Sequence, residues 1–120
     1  MSALLIATDL MSVSAASGAA QRAGTELRTV GPTAIEKTLT SAAEARQIGL
    51  IVIDLTAPIA DVAALVVWLR SAAPAAQIIA FGPHVQEQRL AAAESAGCDR
   101  VISRGQWHKQ AEQLLRDYAV

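Results

Sequence analysis

Gly49-Leu50-Ile51-Val52-Ile53-Asp54-Leu55-Thr56-Ala57-Pro58 is an apolar run too short for a helix, closed by one carboxylate and followed by a turn signal. A continuous apolar segment bounded by Gly and a turn reads as a strand buried on both faces, as in a parallel sheet. Asp54 then stands at the carboxyl end of that strand, the edge where open α/β folds place their sites. Four further short runs read as strands: Ala3 to Ala7, Leu27 to Val30, Gln77 to Phe81 and Arg100 to Ile102, with Leu50 to Ile53 as the third of five. Between and after them, Ser12 to Ala23, Thr33 to Gln47, Val62 to Ala73, Gln86 to Ala96 and Trp107 to Tyr118 carry apolar residues at helical spacing. Regular alternation of this kind predicts a single α/β domain over residues 1–120, with a parallel sheet covered on both faces.

The punctuation agrees with this division. Gly24, Gly49 and Gly97 follow helical stretches, where a left-handed residue commonly ends a helix. Pro32 suits a first helical turn and Pro74 a helix exit. Gly18, inside the first helix, is expected to mark close packing on the sheet.

Composition narrows the function classes. Hydrophobic residues are 52% of the chain but aromatics only 3%, so the core must be built from Ala, Val, Ile and Leu. A net charge of −1 with scattered basic residues leaves no electrostatic footprint for nucleic acid or an anionic membrane. One cysteine, Cys98, and two histidines provide neither an internal disulfide nor a zinc ligand set. Cys98 reads as a small core hydrophobe. The apolar start stops at Asp9 without a basic flank, so neither a signal peptide nor a membrane span is read there. A reducing cytoplasm is the expected compartment.

With Asp9 closing the first strand, Asp54 closing the third with Pro58 after it, and Ser95-Ala-Gly-Cys-Asp-Arg-Val-Ile-Ser-Arg104 leading through the last, the chain resembles the CheY-like receiver domain of two-component response regulators. The resemblance covers essentially the whole chain and implies a flavodoxin-like three-layer sandwich, strand order 2-1-3-4-5. It implies that Asp54 matches the phosphoacceptor, that Asp9 matches one member of the acidic pair that helps hold Mg²⁺, and that Arg104 replaces the lysine that contacts phosphoryl oxygens.

Departures from the family pattern point to a degenerate, pseudo-receiver form. Thr8 occupies the second acidic position, leaving Asp9, Asp54 and the Thr56 carbonyl for a weakly held Mg²⁺, with no cofactor required. Gly82 stands where the family has a Ser or Thr that follows the phosphoryl group, and Val101 stands where it has a switching aromatic. Arg104 either pairs with Asp54, Asp9 or both through its planar fork, or points to solvent from a loop loosened by Gly105, which replaces the family's proline. Thr8, Gly82, Ser103 and Arg104 complete the expected pocket.

Three readings follow. The first is a non-enzymatic signalling module that docks another protein, whether kinase, output domain or a second copy in a homodimer, independently of phosphorylation. Its surface would include Arg89, Glu94, Arg100, Gln106, Lys109 and Gln113, with Trp107 either an interface anchor or tucked over the core edge. Trp68, on a helix nearly encircled by apolar residues, is either deeply covered or part of a subunit contact. The second reading is a phosphoacceptor using Asp54 with weak Mg²⁺. The third is a small-molecule or hydrolytic site in which Asp54, His84 and Ser103 act together, although Ser103 has only half of a Gly-x-Ser-x-Gly elbow and His84 also reads as an exposed loop residue.

Overall fold

The computed structural model describes residues 1–39 and 41–119. Five strands, β1 (Ser2–Ile6), β2 (Glu26–Val30), β3 (Ile48–Asp54), β4 (Gln77–Gly82) and β5 (Arg100–Ser103), form one all-parallel sheet in the order β2-β1-β3-β4-β5. Six helices connect them: α1 (Leu10–Ala23), α2 (Ile35–Thr38), α3 (Ala42–Arg46), α4 (Val62–Ala72), α5 (Glu87–Ala96) and α6 (Arg104–Tyr118). This is the flavodoxin-like arrangement, with each predicted strand found within two residues of its expected ends.

The two-residue repeat of a strand sorts β1 and β3 into two layers. Leu4, Ile6, Ile51 and Ile53 pack toward α4 and α5. Ala3, Leu5, Leu50 and Val52 pack toward α1 and α6. Every residue of β3 is buried, which is why its sequence shows no polar alternation. Small residues Ala16, Ala19 and Ala20 let α1 lie close to the sheet. Phe81 and Trp107, two of the few aromatics, stack at 5.5 Å with planes 12° apart in that same layer.

Gly24 and Gly97 cap α1 and α5 with φ of 72° and 112°, as their positions predicted. Pro32 opens a 3₁₀ turn (Pro32–Ala34) and Pro74 follows α4. Two glycine expectations are corrected. Gly49 does not end a helix: it lies inside β3, where the backbone carbonyl of Tyr118 occupies the place a Cβ would take. Gly18 is half-exposed, and the neighbour nearest its open side is the Arg22 guanidinium rather than the sheet.

The single helix expected from Thr33 to Gln47 is also corrected, with Thr40 lying outside the described residues. Leu39 leaves the helical region at φ −100°, ψ 68°. Thr38 turns its hydroxyl back to the Ala34 carbonyl at 3.0 Å, and Ser41 starts a new short helix by accepting the Glu44 amide at 3.1 Å. Hydroxyl side chains that offer the backbone alternative partners favour caps over helix interiors. The α6 helix, by contrast, begins three residues earlier than Trp107, at Arg104.

Candidate functional site

Parallel strands end together at one edge of the sheet, and β3 carries Asp54 there as the register partner of Phe81. Alternation from Leu50 and Val52 turns Asp54 toward the α1–α6 layer. The residue is fully buried. Its Oδ1 accepts the Thr56 amide at 3.0 Å and the Thr56 hydroxyl at 2.7 Å, while Oδ2 is buried with no hydrogen-bond partner. A buried carboxylate oxygen without a donor is costly, and it is the point in this pocket where a cation or a donor group would be stabilised.

Asp9 is used differently. Exposed three residues beyond β1, it is the N-cap of α1: its Oδ2 accepts the Ser12 hydroxyl at 3.0 Å and the Ser12 amide at 3.2 Å. These bonds hold its carboxyl below the ordinary range, with a smaller contribution from the Arg104 charge. Thr8 beside it is exposed.

Arg104 starts α6, and the pairing expected of it is not found. It forms no ion pair with Asp54 or Asp9 among the described residues; the residue is half-buried, with its Nε buried and without a partner. Gly105 likewise does not loosen a loop, because it lies within the first turn of α6. That turn is fixed by a capping box: Ser103 Oγ accepts the Gln106 amide at 3.1 Å and Gln106 Oε1 accepts the Ser103 amide at 2.9 Å. Ser-x-x-Gln is the sequence signal that locates this helix start.

Gly82 and Ser103 pair across β4 and β5 and open onto a cavity of about 410 Å³ with His84, Leu90, Glu94, Val101, Ile102 and Gln106. Asp54 is not among the lining residues. No hydrogen bond joins Asp54, His84 and Ser103 into an acid-base-nucleophile set among the described residues: Asp54 accepts from Thr56, and the Ser103 hydroxyl is committed to its cap. A Cβ on Gly82 would lie 3.2 Å from Leu55 Cβ, tighter than ordinary van der Waals contact, so Leu55 crowds the point from which a hydroxyl-bearing side chain would start.

On the face expected to dock a partner, Arg100 is exposed and binds Gln110 Oε1 at 3.0 Å, and Lys109 is exposed. The expected anchor Trp107 is only 1% exposed and belongs to the core, because its indole completes the stack with Phe81. Arg89 also leaves this surface: it turns into the β3–α4 loop, donating to the carbonyls of Leu55, Ala57 and Ile59 at 2.9, 2.8 and 3.0 Å. No spacing rule exposes such a contact, since the partners are backbone atoms 30 to 34 residues away. Trp68 is half-buried against the core and Val67 beside it is 57% exposed.

Cys98 packs against the core, and burial pushes its thiol up to about 11. It is an inert thiol at neutral pH. No group of three or more His, Cys, Asp or Glu side chains is placed to hold a metal among the described residues. Mg²⁺ often keeps several waters and takes one or two carboxylates. The free Asp54 Oδ2 fits that sparse mode; Asp9, occupied by Ser12, adds a second carboxylate only in competition with its capping role.

No protein-family model and no curated relative matches the chain. Solved structures do. A response regulator from Thermotoga maritima superposes with a TM-score of 0.76 at 12% identity, covering 97% of this chain and 94% of its own. A CheY-like protein (tadZ) from Pseudomonas aeruginosa PAO1 gives 0.75 at 22% identity over 98% of both chains. The receiver domain of a sensor histidine kinase from the same organism, solved with magnesium coordinated in its active site cleft, gives 0.75 at 15% identity, covering 98% and 95%. The fold is the CheY-like receiver fold. Within this fold, Asp54 is the last residue of β3, and no helix among the described residues is long and apolar enough to cross a membrane.

Proposed function

We propose that the chain is an atypical receiver module of a two-component or related signalling pathway, working in the cytoplasm by protein–protein interaction without a phosphorylation switch. The observation that carries this reading is at Gly82: the position offers no side chain to follow a phosphoryl group, and Leu55 crowds the place where one would begin. Val101, stiff and β-branched, has no inward and outward aromatic states to exchange. Thr8 and the capping role of Asp9 weaken the metal site that phosphoryl transfer would use. Output is then constitutive docking through α5, β5 and α6, where Arg100 and Lys109 stand exposed. The partner is another protein: a kinase, an output domain or a second copy. The reading supports no role in catalysis, nucleic-acid binding or membrane association.

A second reading is favoured by one observation. Asp54 Oδ2, though buried, has no protein donor, so it is the atom that would gain most from a phosphoryl group or a hydrated Mg²⁺ reaching it. Intact mass after incubation with a small phosphodonor and Mg²⁺ separates the two. The expected result is an unchanged mass. A stable adduct that Asp54→Ala abolishes would move the protein to the second reading.

A further inference from the structure

Three carbonyls of one loop converge on a single guanidinium. Leu55, Ala57 and Ile59 lie in the segment between β3 and α4; all three residues are buried, and their carbonyls accept from Arg89 on α5. The same segment carries Thr56, whose amide and hydroxyl occupy Asp54 Oδ1. Arg89 is thus one residue removed, on both sides, from the group that grips the acid.

We propose that Arg89 is the positioning residue of the Asp54 pocket: by holding the Leu55, Ala57 and Ile59 carbonyls together it fixes Thr56 on Asp54 and joins the loop to the first turns of α5 as one cooperative unit. The inference stands whether or not α5 docks a partner, and it goes beyond the proposed function by naming what holds the pocket and that face in a single arrangement. Geometry argues for it. A guanidinium presents several N–H donors in a rigid plane, so it can span three acceptors, whereas an ammonium is a compact point charge that cannot hold the same fork. Hydrogen bonds from a charged donor are the stronger kind, and buried carbonyls such as those of Leu55 and Ile59 are expensive to deprive of a donor, while that of Ala57 would keep the Ile59 amide. The loop has few other ties: Leu55 donates its amide to the Phe81 carbonyl, and Ala57 and Ile59 donate only to the nearby Asp54 and Ala57 carbonyls.

The test is residue-resolved amide hydrogen exchange on the full chain with Arg89→Lys, Arg89→Ala and Thr56→Val. In Arg89→Lys, amides from 55 to 61 and from 87 to 92 are expected to exchange about tenfold faster or more, together, while β1 and β2 are unchanged. The Thr56 amide should lose protection and its downfield carboxylate-bonded shift, although neither Thr56 nor Asp54 has been altered. Thr56→Val, which removes only the hydroxyl, should leave amides 57 to 61 and α5 protected. An Arg89→Lys protein whose loop keeps wild-type protection, or in which α5 is freed and the loop is not, overturns the proposal. Should Arg89→Ala fail to fold, the Lys variant alone decides by the same criteria.

Discussion

Trp107 retains 1% of its surface and lies almost parallel to Phe81, so its indole is among the largest apolar groups withdrawn from water in this chain. Removing a buried aromatic loses its transfer free energy and leaves a cavity, so Trp107→Ala is expected to destabilise by about 3–5 kcal/mol. Urea unfolding followed by far-UV circular dichroism measures it; a cost under ~1 kcal/mol would place the indole at the surface instead. Residue identity alone did not reveal this direction, because an amphipathic Trp at a helix start suits both a core edge and an interface. Asp54 was legible for the opposite reason: a carboxylate ending a fully apolar run has one structural meaning. Arg89 and Arg104 were not, since where a long cationic side chain finds its partners depends on tertiary placement that spacing does not encode.

At the scale of elements, strands were read closely because burial on both faces leaves an unbroken apolar signature, and helix ends were read where glycine takes a left-handed φ at Gly24 and Gly97. Gly49 carries the same letter for a different cause: α6 returns its last carbonyls onto β3 at that point. Gly49→Ala therefore has to displace backbone rather than a flexible side-chain tip, and overpacking of this kind costs about 1–3 kcal/mol. Thermal unfolding is expected to show the loss, and amide exchange in the last turn of α6 should rise with it; an unchanged melting temperature would mean that Tyr118 moves aside freely. The broken helix between Pro32 and Arg46 was misread because alanine and apolar spacing were allowed to outweigh Thr38 and Ser41, whose hydroxyls redirect the backbone.

Across the whole molecule two carboxylates tie separate elements together, and their surroundings set the pH and salt dependence of stability. Glu112 on α6 accepts Arg22 of α1 at 2.8 Å and Arg116 at 3.1 Å; the Arg22 hydrogen bond, then that of Arg116, holds its carboxyl below the ordinary 4.5. Asp99 bridges α4, β4 and the end of α5: it accepts Arg70 at 2.8 Å and the Ile78 amide at 2.8 Å, while its own amide donates to the Ile78 carbonyl. Burial pushes the Asp99 carboxyl up, but the Arg70 hydrogen bond, the Ile78 amide and the Arg70 charge together hold it below 3.8. Both folded values lie under the unfolded ones, so the native state binds fewer protons there and stability falls as the medium is acidified. The contribution is complete above the ordinary values and is lost as pH drops through the depressed ones, so the melting temperature should be level near neutrality and decline below about pH 4.5. The two sites should separate with salt. Glu112 is a surface triad, screened at high ionic strength, so the penalty of Glu112→Ala should shrink in 1 M salt. Asp99→Ala strips the Ile78 amide of its acceptor just ahead of where β5 pairs with β4, a loss that salt cannot screen, so its larger drop in melting temperature should persist. Equal salt sensitivity of the two variants would show that Asp99 acts through charge alone, and that β4 needs no side-chain acceptor at that edge.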